Sequence, residues 1–377
     1  IEFVIVEAGT PLLRLVPATP GKDGYDLLGE PLPATPGKEL NFNATHVGSV
    51  LSNEDPNLLI AEIKGHPIIY RTTVKVDPVL HLEEVNFKSG NINFDGSVNI
   101  TGDVNSGMEV CATGNISVSG IVEKATIIAG NNIVVGGGVL GKELSKEEKK
   151  ALESSTVDPA YPSVINFKSF LKAGGGITAK YISMTEVACE RDLTVMEYVL
   201  HCNVHTNGQI LLGQDGGKGC LIGGYSHARA GAVANYLGND AYTKTYLSVG
   251  YSKQVADQHR ELHEDMQKQT EILEKVTVGK KTLEKTIAKG FSIINAEQRI
   301  QSIDTAMHQV QHQIDSIKRQ LSEISVEVEE TEDARTTVKK RAYANVYLGI
   351  NGVDYRLPVE TQAGYFHMLN HKIKYVQ

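Results

Sequence analysis

Ile92-Asn-Phe-Asp-Gly-Ser-Val98-Asn-Ile-Thr-Gly-Asp-Val104-Asn-Ser-Gly-Met-Glu-Val110 carries an aliphatic residue at every sixth position. The series runs on through Ile116, Val122, Ile128, Val134 and Leu140, nine positions in one phase. Glycine recurs at Gly96, Gly102, Gly114 and Gly120, and a longer match at eighteen aligns Gly102, Gly120 and Gly138. A period of six inside a period of eighteen describes a coil with three short sides per rung. A branched side chain points inward on each side and stacks on its copy in the next rung, while glycine and asparagine turn the corners. One rung cannot bury its own apolar face, so such a coil is stable only as a stack. The stretch therefore predicts a short-rung β-helix with all nine aliphatic residues facing in.

Toward the C-terminus, Gly141 to Pro162 breaks the pattern, and Lys142-Glu-Leu-Ser-Lys-Glu-Glu-Lys149 predicts a charged helical excursion or surface loop. Repeats resume near Ile177 with Ile182, Val187, Leu193, Val199, Val204, Ile210 and Ile222, at spacings mostly near five and six. Gly213, Gly216, Gly217, Gly219, Gly223 and Gly224 then crowd the turns, either as a binding surface or simply as tight corners. From about Tyr251 glycine nearly vanishes and Glu, Lys and Gln dominate. Leu262, Met266, Gln269, Leu273, Val276, Leu283 and Ile287 follow alternating spacings of three and four, with Lys280 in one seam position. Ile300, Ile303, Met307, Val310, Ile314, Ile317, Leu321 and Ile324 repeat the pattern. Two heptad seams with a break at Gly290 predict an antiparallel coiled-coil hairpin. Each arm should reach roughly 50–60 Å. After about Thr336, Ala342 to Ile350, Asp354 to Leu357 and Lys372 to Val376 return to strand patterns. The hairpin is thus expected as an insertion, with the last strands completing or capping the β-helix.

Toward the N-terminus, Leu15-Val-Pro-Ala-Thr-Pro-Gly-Lys-Asp23 recurs as Leu32-Pro-Ala-Thr-Pro-Gly-Lys-Glu39. Each Pro-Gly marks a turn, and short strands follow at Leu58 to Ile63 and His66 to Tyr70. The two segments are either a pair of binding loops or, more simply, two structural turns. Neither Gly21 nor Gly24 opens a nucleotide-binding glycine loop. The expected organisation is a small all-β module at 1–85, the β-helix at 86–250, the hairpin at 251–336 and returning strands at 337–377. The first residues read like the middle of a strand, so the chain is expected to be a fragment that lacks an upstream segment.

The chain has 377 residues and a formal charge of −8, from 37 basic and 45 acidic side chains. That balance gives no net attraction for nucleic acid. Cys111, Cys189, Cys202 and Cys220 are too sparse to staple the chain, which fits a reducing, cytoplasmic setting. No apolar run is long enough to cross a bilayer.

Candidate chemistry is thin. His201, His205 and His227 are possible bases if the coil belongs to a hexapeptide-repeat acyltransferase. Cys202 and His205 have a ligand-like spacing, with Cys189 and Cys220 elsewhere in the rungs. His259 and His263 lie one helical turn apart, as do His308 and His312, without the glutamate order of a zinc protease. Asp95, Asp103, Glu109 and Glu123 occupy different rungs and phases, which does not supply the paired carboxyls of a glycosidase. Packing or surface roles account for all of these more simply. The residues therefore predict no catalytic, metal or cofactor site.

A family resemblance spans nearly the whole chain. It rests on Pro20-Gly-Lys-Asp-Gly24 with Gly29, Gly102-Asp-Val-Asn-Ser-Gly-Met-Glu-Val110 with Ala112 and Gly114, and Lys218-Gly-Cys-Leu-Ile-Gly-Gly224. Leu237-Gly238, Thr245-Tyr-Leu-Ser-Val-Gly250 and Tyr347-Leu-Gly349 continue it. In these segments the chain resembles the flagellar assembly protein A (FapA) family. The resemblance implies a non-enzymatic cytoplasmic scaffold or adaptor in bacterial flagellar assembly or placement, recruited to the cell pole and acting by protein binding. Its β-helix resembles the C-terminal domain of the septum-site inhibitor MinC, which implies a right-handed coil and self-association. The implied partners are the unphosphorylated glucose-specific enzyme IIA of the sugar phosphotransferase system, flagellar placement factors, or a second copy. A self-associating structural β-helix is the other non-enzymatic alternative.

Overall fold

The computed structural model describes residues 4–43, 46–145, 167–251, 253–289 and 294–377. It is mainly β, with a β-solenoid of about eight turns, a small N-terminal β region and a helical hairpin inserted late. Two compact units divide at residue 194, Ile1–Thr194 and Val195–Gln377.

In the first unit, parallel strands stack rung over rung, and their registers define columns of inward side chains. Leu80, Val98, Ile116, Ile133 and Ile177 form one column. Val85, Val104, Val122, Val139 and Ile182 form a second, and Ile92, Val110, Ile127, Leu171 and Val187 a third. Every one of these residues is buried. Strand alternation explains the pattern: the residue beside each column member points the other way. A corner ladder runs alongside. Ser97 Oγ accepts the Asn115 N–H at 3.0 Å, Asn115 Oδ1 accepts Asn132 N–H at 3.1 Å, and Asn132 Oδ1 accepts Gly176 N–H at 2.9 Å. Each corner side chain thus satisfies an amide that the turn takes out of the strand ladder.

The structure corrects the six-residue phase beyond Val122. Ile127, Ile133 and Val139 face inward, whereas Val134 and Leu140 are 44% and 37% exposed and Ile128 is only half-buried. One residue has been lost at a corner. The Asn105–Met108 turn is matched in the next rung by a shorter one in which Lys124 adopts a left-handed φ of 44°. A one-residue slip exchanges inward and outward faces. Downstream, Val135↔Ala179 and Gly138↔Tyr181 hold the corrected phase across the irregular corner. The charged segment expected near 141–162 falls largely at 146–166, outside the described residues, as does Gly290.

The small β region joins strands Pro11–Arg14, Ser49–Leu51 and Leu58–Ala61 antiparallel. A separate pair, His66–Ile69 with Val74–Asp77, leads into the first rung.

In the second unit, strand Cys220–Ala228 pairs with Thr245–Val249, which pairs with Val346–Ile350, all parallel. Between the last two the chain runs through α1 (Lys253–Ala288) and α2 (Ala296–Glu330). Lys280 Nζ on the α1 seam meets Asp304 Oδ1 of α2 at 2.5 Å, which ties the arms together where an apolar pair would otherwise sit. Beyond Ile350 the pairing becomes antiparallel: Val346–Ile350 with Val353–Arg356, and Gly364–Leu369 with both Thr336–Ala342 and Lys372–Val376.

The corrected phase gives a direct expectation. Ile127→Ala should destabilise the chain by about 2–5 kcal/mol, and Ile128→Ala by less than about 1 kcal/mol. Urea unfolding of the two variants would contradict the register if their order were reversed.

Candidate functional site

The outer face of the second unit concentrates aromatic and titratable groups. Because Tyr225, Tyr246 and Tyr347 share one register column and point outward, their rings stack at centroid distances of 4.5 and 4.7 Å. Arg356, on the antiparallel strand that closes this side, places its guanidinium 5.5 Å from the Tyr347 ring centre. Such stacking adds about 0.5–1.5 kcal/mol per aromatic pair beyond burial. Two residues along each strand lies a second column, in which the His205 and His227 rings stack at 5.1 Å and His227 Nδ1 lies 2.9 Å from Ser248 Oγ. Burial and the neighbouring His205 lower the His227 pKa to about 4.

The possible bases His201, His205 and His227 are not brought together as a catalytic set. His201 is exposed at a corner with φ 50°, and its ring fills the space a side chain at residue 223 would need. His227 stays neutral at pH 7, but a base with a pKa near 4 accepts a substrate proton poorly. The Cys202–His205 spacing also fails as a ligand pair. Residues three apart on a strand face opposite ways, so Cys202 is buried in the core and His205 is exposed. Cys189 and Cys220 are buried as well, while Cys111 is half-buried and its thiol is pushed up to about 11 by burial and Glu109.

The four carboxylates hold separate structural posts. Asp95 meets Lys64 Nζ at 2.7 Å and accepts the Thr113 hydroxyl at 2.7 Å. Asp103 Oδ1 accepts Ile121 N–H at 2.7 Å, Glu109 accepts from the Cys111 thiol, and Glu123 pairs with Lys124. His259 lies on the α1 seam edge-on to His263 at 4.5 Å, and burial lowers its pKa. His308 and His312 are exposed on α2.

The glycine cluster is a corner. Gly213 and Gly219 both take positive φ and approach so closely that a Cβ at residue 219 would lie 2.6 Å from the Gly213 Cα. Asn235 Nδ2, buried beneath, donates to the Gly217 and Lys218 carbonyls at 3.0 and 3.2 Å. At the hairpin root, Arg229 pairs with Glu330 at 2.8 Å, and Asn351 Nδ2 donates to the carbonyls of Thr331 and Glu332 at 3.2 and 3.3 Å. A cavity of about 700 Å³ opens beside this root, with Glu330, Asp333, Arg335 and His367 among its walls.

The tyrosine column has a sequence trace that the insertion conceals. Thr245-Tyr-Leu-Ser-Val-Gly250 and Val346-Tyr-Leu-Gly-Ile-Asn351 are copies of one rung side, separated by the hairpin.

The Flagellar Assembly Protein A beta solenoid domain matches residues 78–373, and the N-terminal region of the same family matches residues 2–72. The chain belongs to the flagellar assembly protein A family. The two FapA matches cover the β-solenoid, the hairpin within it and the N-terminal β region. A search of curated proteins and a search of solved structures each found no match. Among the described residues, no helix is long and apolar enough to cross a membrane. The family relates this chain to flagellar assembly.

The histidine column sets a pH dependence. His227 has a folded pKa near 4 against about 6.5 unfolded. The unfolded state therefore takes up a proton first as pH falls. Stability from this group is complete above about 6.5 and is lost between 6.5 and 4, by about 3 kcal/mol. Thermal melts of His227→Gln should show a shallower acid-side decline than wild type; identical slopes would contradict this.

Proposed function

We propose that this chain is a non-enzymatic cytoplasmic scaffold in flagellar assembly or placement, acting at the cell pole by binding proteins. The hairpin carries this reading. Strands 245–249 and 346–350 are parallel neighbours, and the same step one rung earlier, Tyr225 to Tyr246, takes 21 residues where Tyr246 to Tyr347 takes 101. The chain spends 36 and 35 residues on two helices, each about 54 Å long at 1.5 Å per residue. It also fastens their root through Arg229–Glu330 and the Asn351 clamp. An anchored extension of that size suits holding or reaching a partner.

The unphosphorylated glucose-specific enzyme IIA is the partner to test first. A phosphoryl group adds nearly two negative charges, and a chain of net charge −8 disfavours them. Purified chain should bind the unphosphorylated form at least tenfold more tightly in titration calorimetry. A variant with residues 253–330 replaced by a short glycine-serine turn should lose this binding and keep its β circular-dichroism signal. Equal affinity for both forms would remove this partner, and unchanged binding by the shortened variant would move the interaction to the β elements.

A further inference from the structure

Val16-Pro-Ala-Thr-Pro-Gly-Lys22 and Leu32-Pro-Ala-Thr-Pro-Gly-Lys38 each hold two X-Pro pairs three residues apart, with a lysine two residues beyond the second proline. Proline fixes φ near −65°, and the residue before it is confined to extended conformations. Leu32, Pro33, Thr35 and Pro36 are therefore held to the polyproline II range by sequence alone. That conformation is a left-handed helix with three residues per turn and no internal hydrogen bonds. Residues 33–43 accordingly belong to no helix or strand.

A period of three gives each copy three edges, and the packing shows which one is covered. A Cβ on Gly37 would come 3.3 Å from the Ala18 Cβ, and one on Gly21 would come 2.7 Å from the Ala34 Cβ. Ala34 and Gly37 lie three apart, as do Ala18 and Gly21, so each copy turns its small-residue edge to the other. Gly37 N–H donates to the Thr19 carbonyl at 3.1 Å and Ala34 N–H to Asp23 Oδ1 at 2.7 Å, which holds the pair together. The other two edges of the second copy are exposed, with Pro33 and Pro36 on one and Leu32, Thr35 and Lys38 on the other. The copies differ in one respect. Gly21 takes a left-handed φ of 84° and bends the first copy ahead of Lys22, whereas Gly37 stays outside that region and lets the second run on to Lys38.

We infer that residues 32–38 are a polyproline II ligand for a partner domain with an aromatic-lined groove of the SH3 type, and that the first copy is its brace. Such a groove seats X-Pro pairs between aromatic rings, and the pairs here are Leu32-Pro33 and Thr35-Pro36. Lys38, one turn beyond Thr35 on the same edge, meets a carboxylate at the end of the groove. Other modes of peptide recognition fit this segment poorly. Pro33 and Pro36 have no N–H to donate, which disfavours adding a strand to a sheet. A helix-binding groove reads anchors at helical spacing, and two prolines three apart do not form a helix. The first copy holds the ligand in its bound conformation beforehand, so little ordering cost remains. This contact is separate from the hairpin in sequence and does not depend on the scaffold reading.

The chain has no tryptophan, so the groove tryptophan of a purified SH3 domain with Pro-x-x-Pro-x-Lys specificity reports binding directly. Titration with the full chain should change that fluorescence saturably. Pro33→Ala with Pro36→Ala should weaken binding at least about tenfold, as should Lys38→Glu alone, with the circular-dichroism spectrum unchanged. Lys22→Glu makes the same change in net charge and should leave the affinity within about twofold. No saturable change, binding that survives the double alanine variant, or equal losses from Lys22→Glu and Lys38→Glu would each overturn the inference.

Discussion

Val98 donates its N–H to the Asn115 carbonyl at 2.8 Å, Ile116 to Asn132 at 2.9 Å and Ile133 to Gly176 at 3.0 Å. This one bond, repeated from rung to rung, ties each inward aliphatic residue to its copy above. Parallel strands pair only in register, and burial on the inside makes a one-residue slip prohibitive. Each corner must therefore absorb any change in rung length without disturbing the columns. Lys124 at left-handed φ, the Ser97–Asn115–Asn132 ladder and the paired Gly213 and Gly219 are three solutions to that problem.

The same constraint explains how a long hairpin can enter the second unit without breaking it. The strand before α1 and the strand that follows Thr336–Ala342 both find partners already in place, so the insertion interrupts the sequence and not the ladder. Outward residues in such a ladder are forced into columns as strictly as inward ones. The Tyr225–Tyr246–Tyr347 stack and the His205–His227 pair are consequences of register. What the outer surface offers a partner is consequently a set of straight rows.

The β-helix and the hairpin are legible in the sequence because both depend on periodicity. The aliphatic series from Ile92 and the seam from Ile300 each repeat often enough to define a fold. The lost residue beyond Val122 is not legible, since Ile127-Ile128 and Ile133-Val134-Val135 offer aliphatic residues in either phase. Only the pairing chooses between them. The tyrosine column was hidden by distance in sequence, since the hairpin separates Tyr246 from Tyr347. Cys202 and His205 show why a ligand-like spacing carries little weight on a strand: what suits a metal on a loop is here divided between two faces.

Hydrogen exchange measured by mass spectrometry tests the stacking most directly. If rungs hold one another, amides of 245–249 and 346–350 should be protected together to the same high degree, although α1 and α2 separate them in sequence. Their protection should persist when the helices exchange. Exchange of 346–350 at the rate of the helices, with 245–249 still protected, would contradict direct pairing of the two strands and the insertion of the hairpin between them.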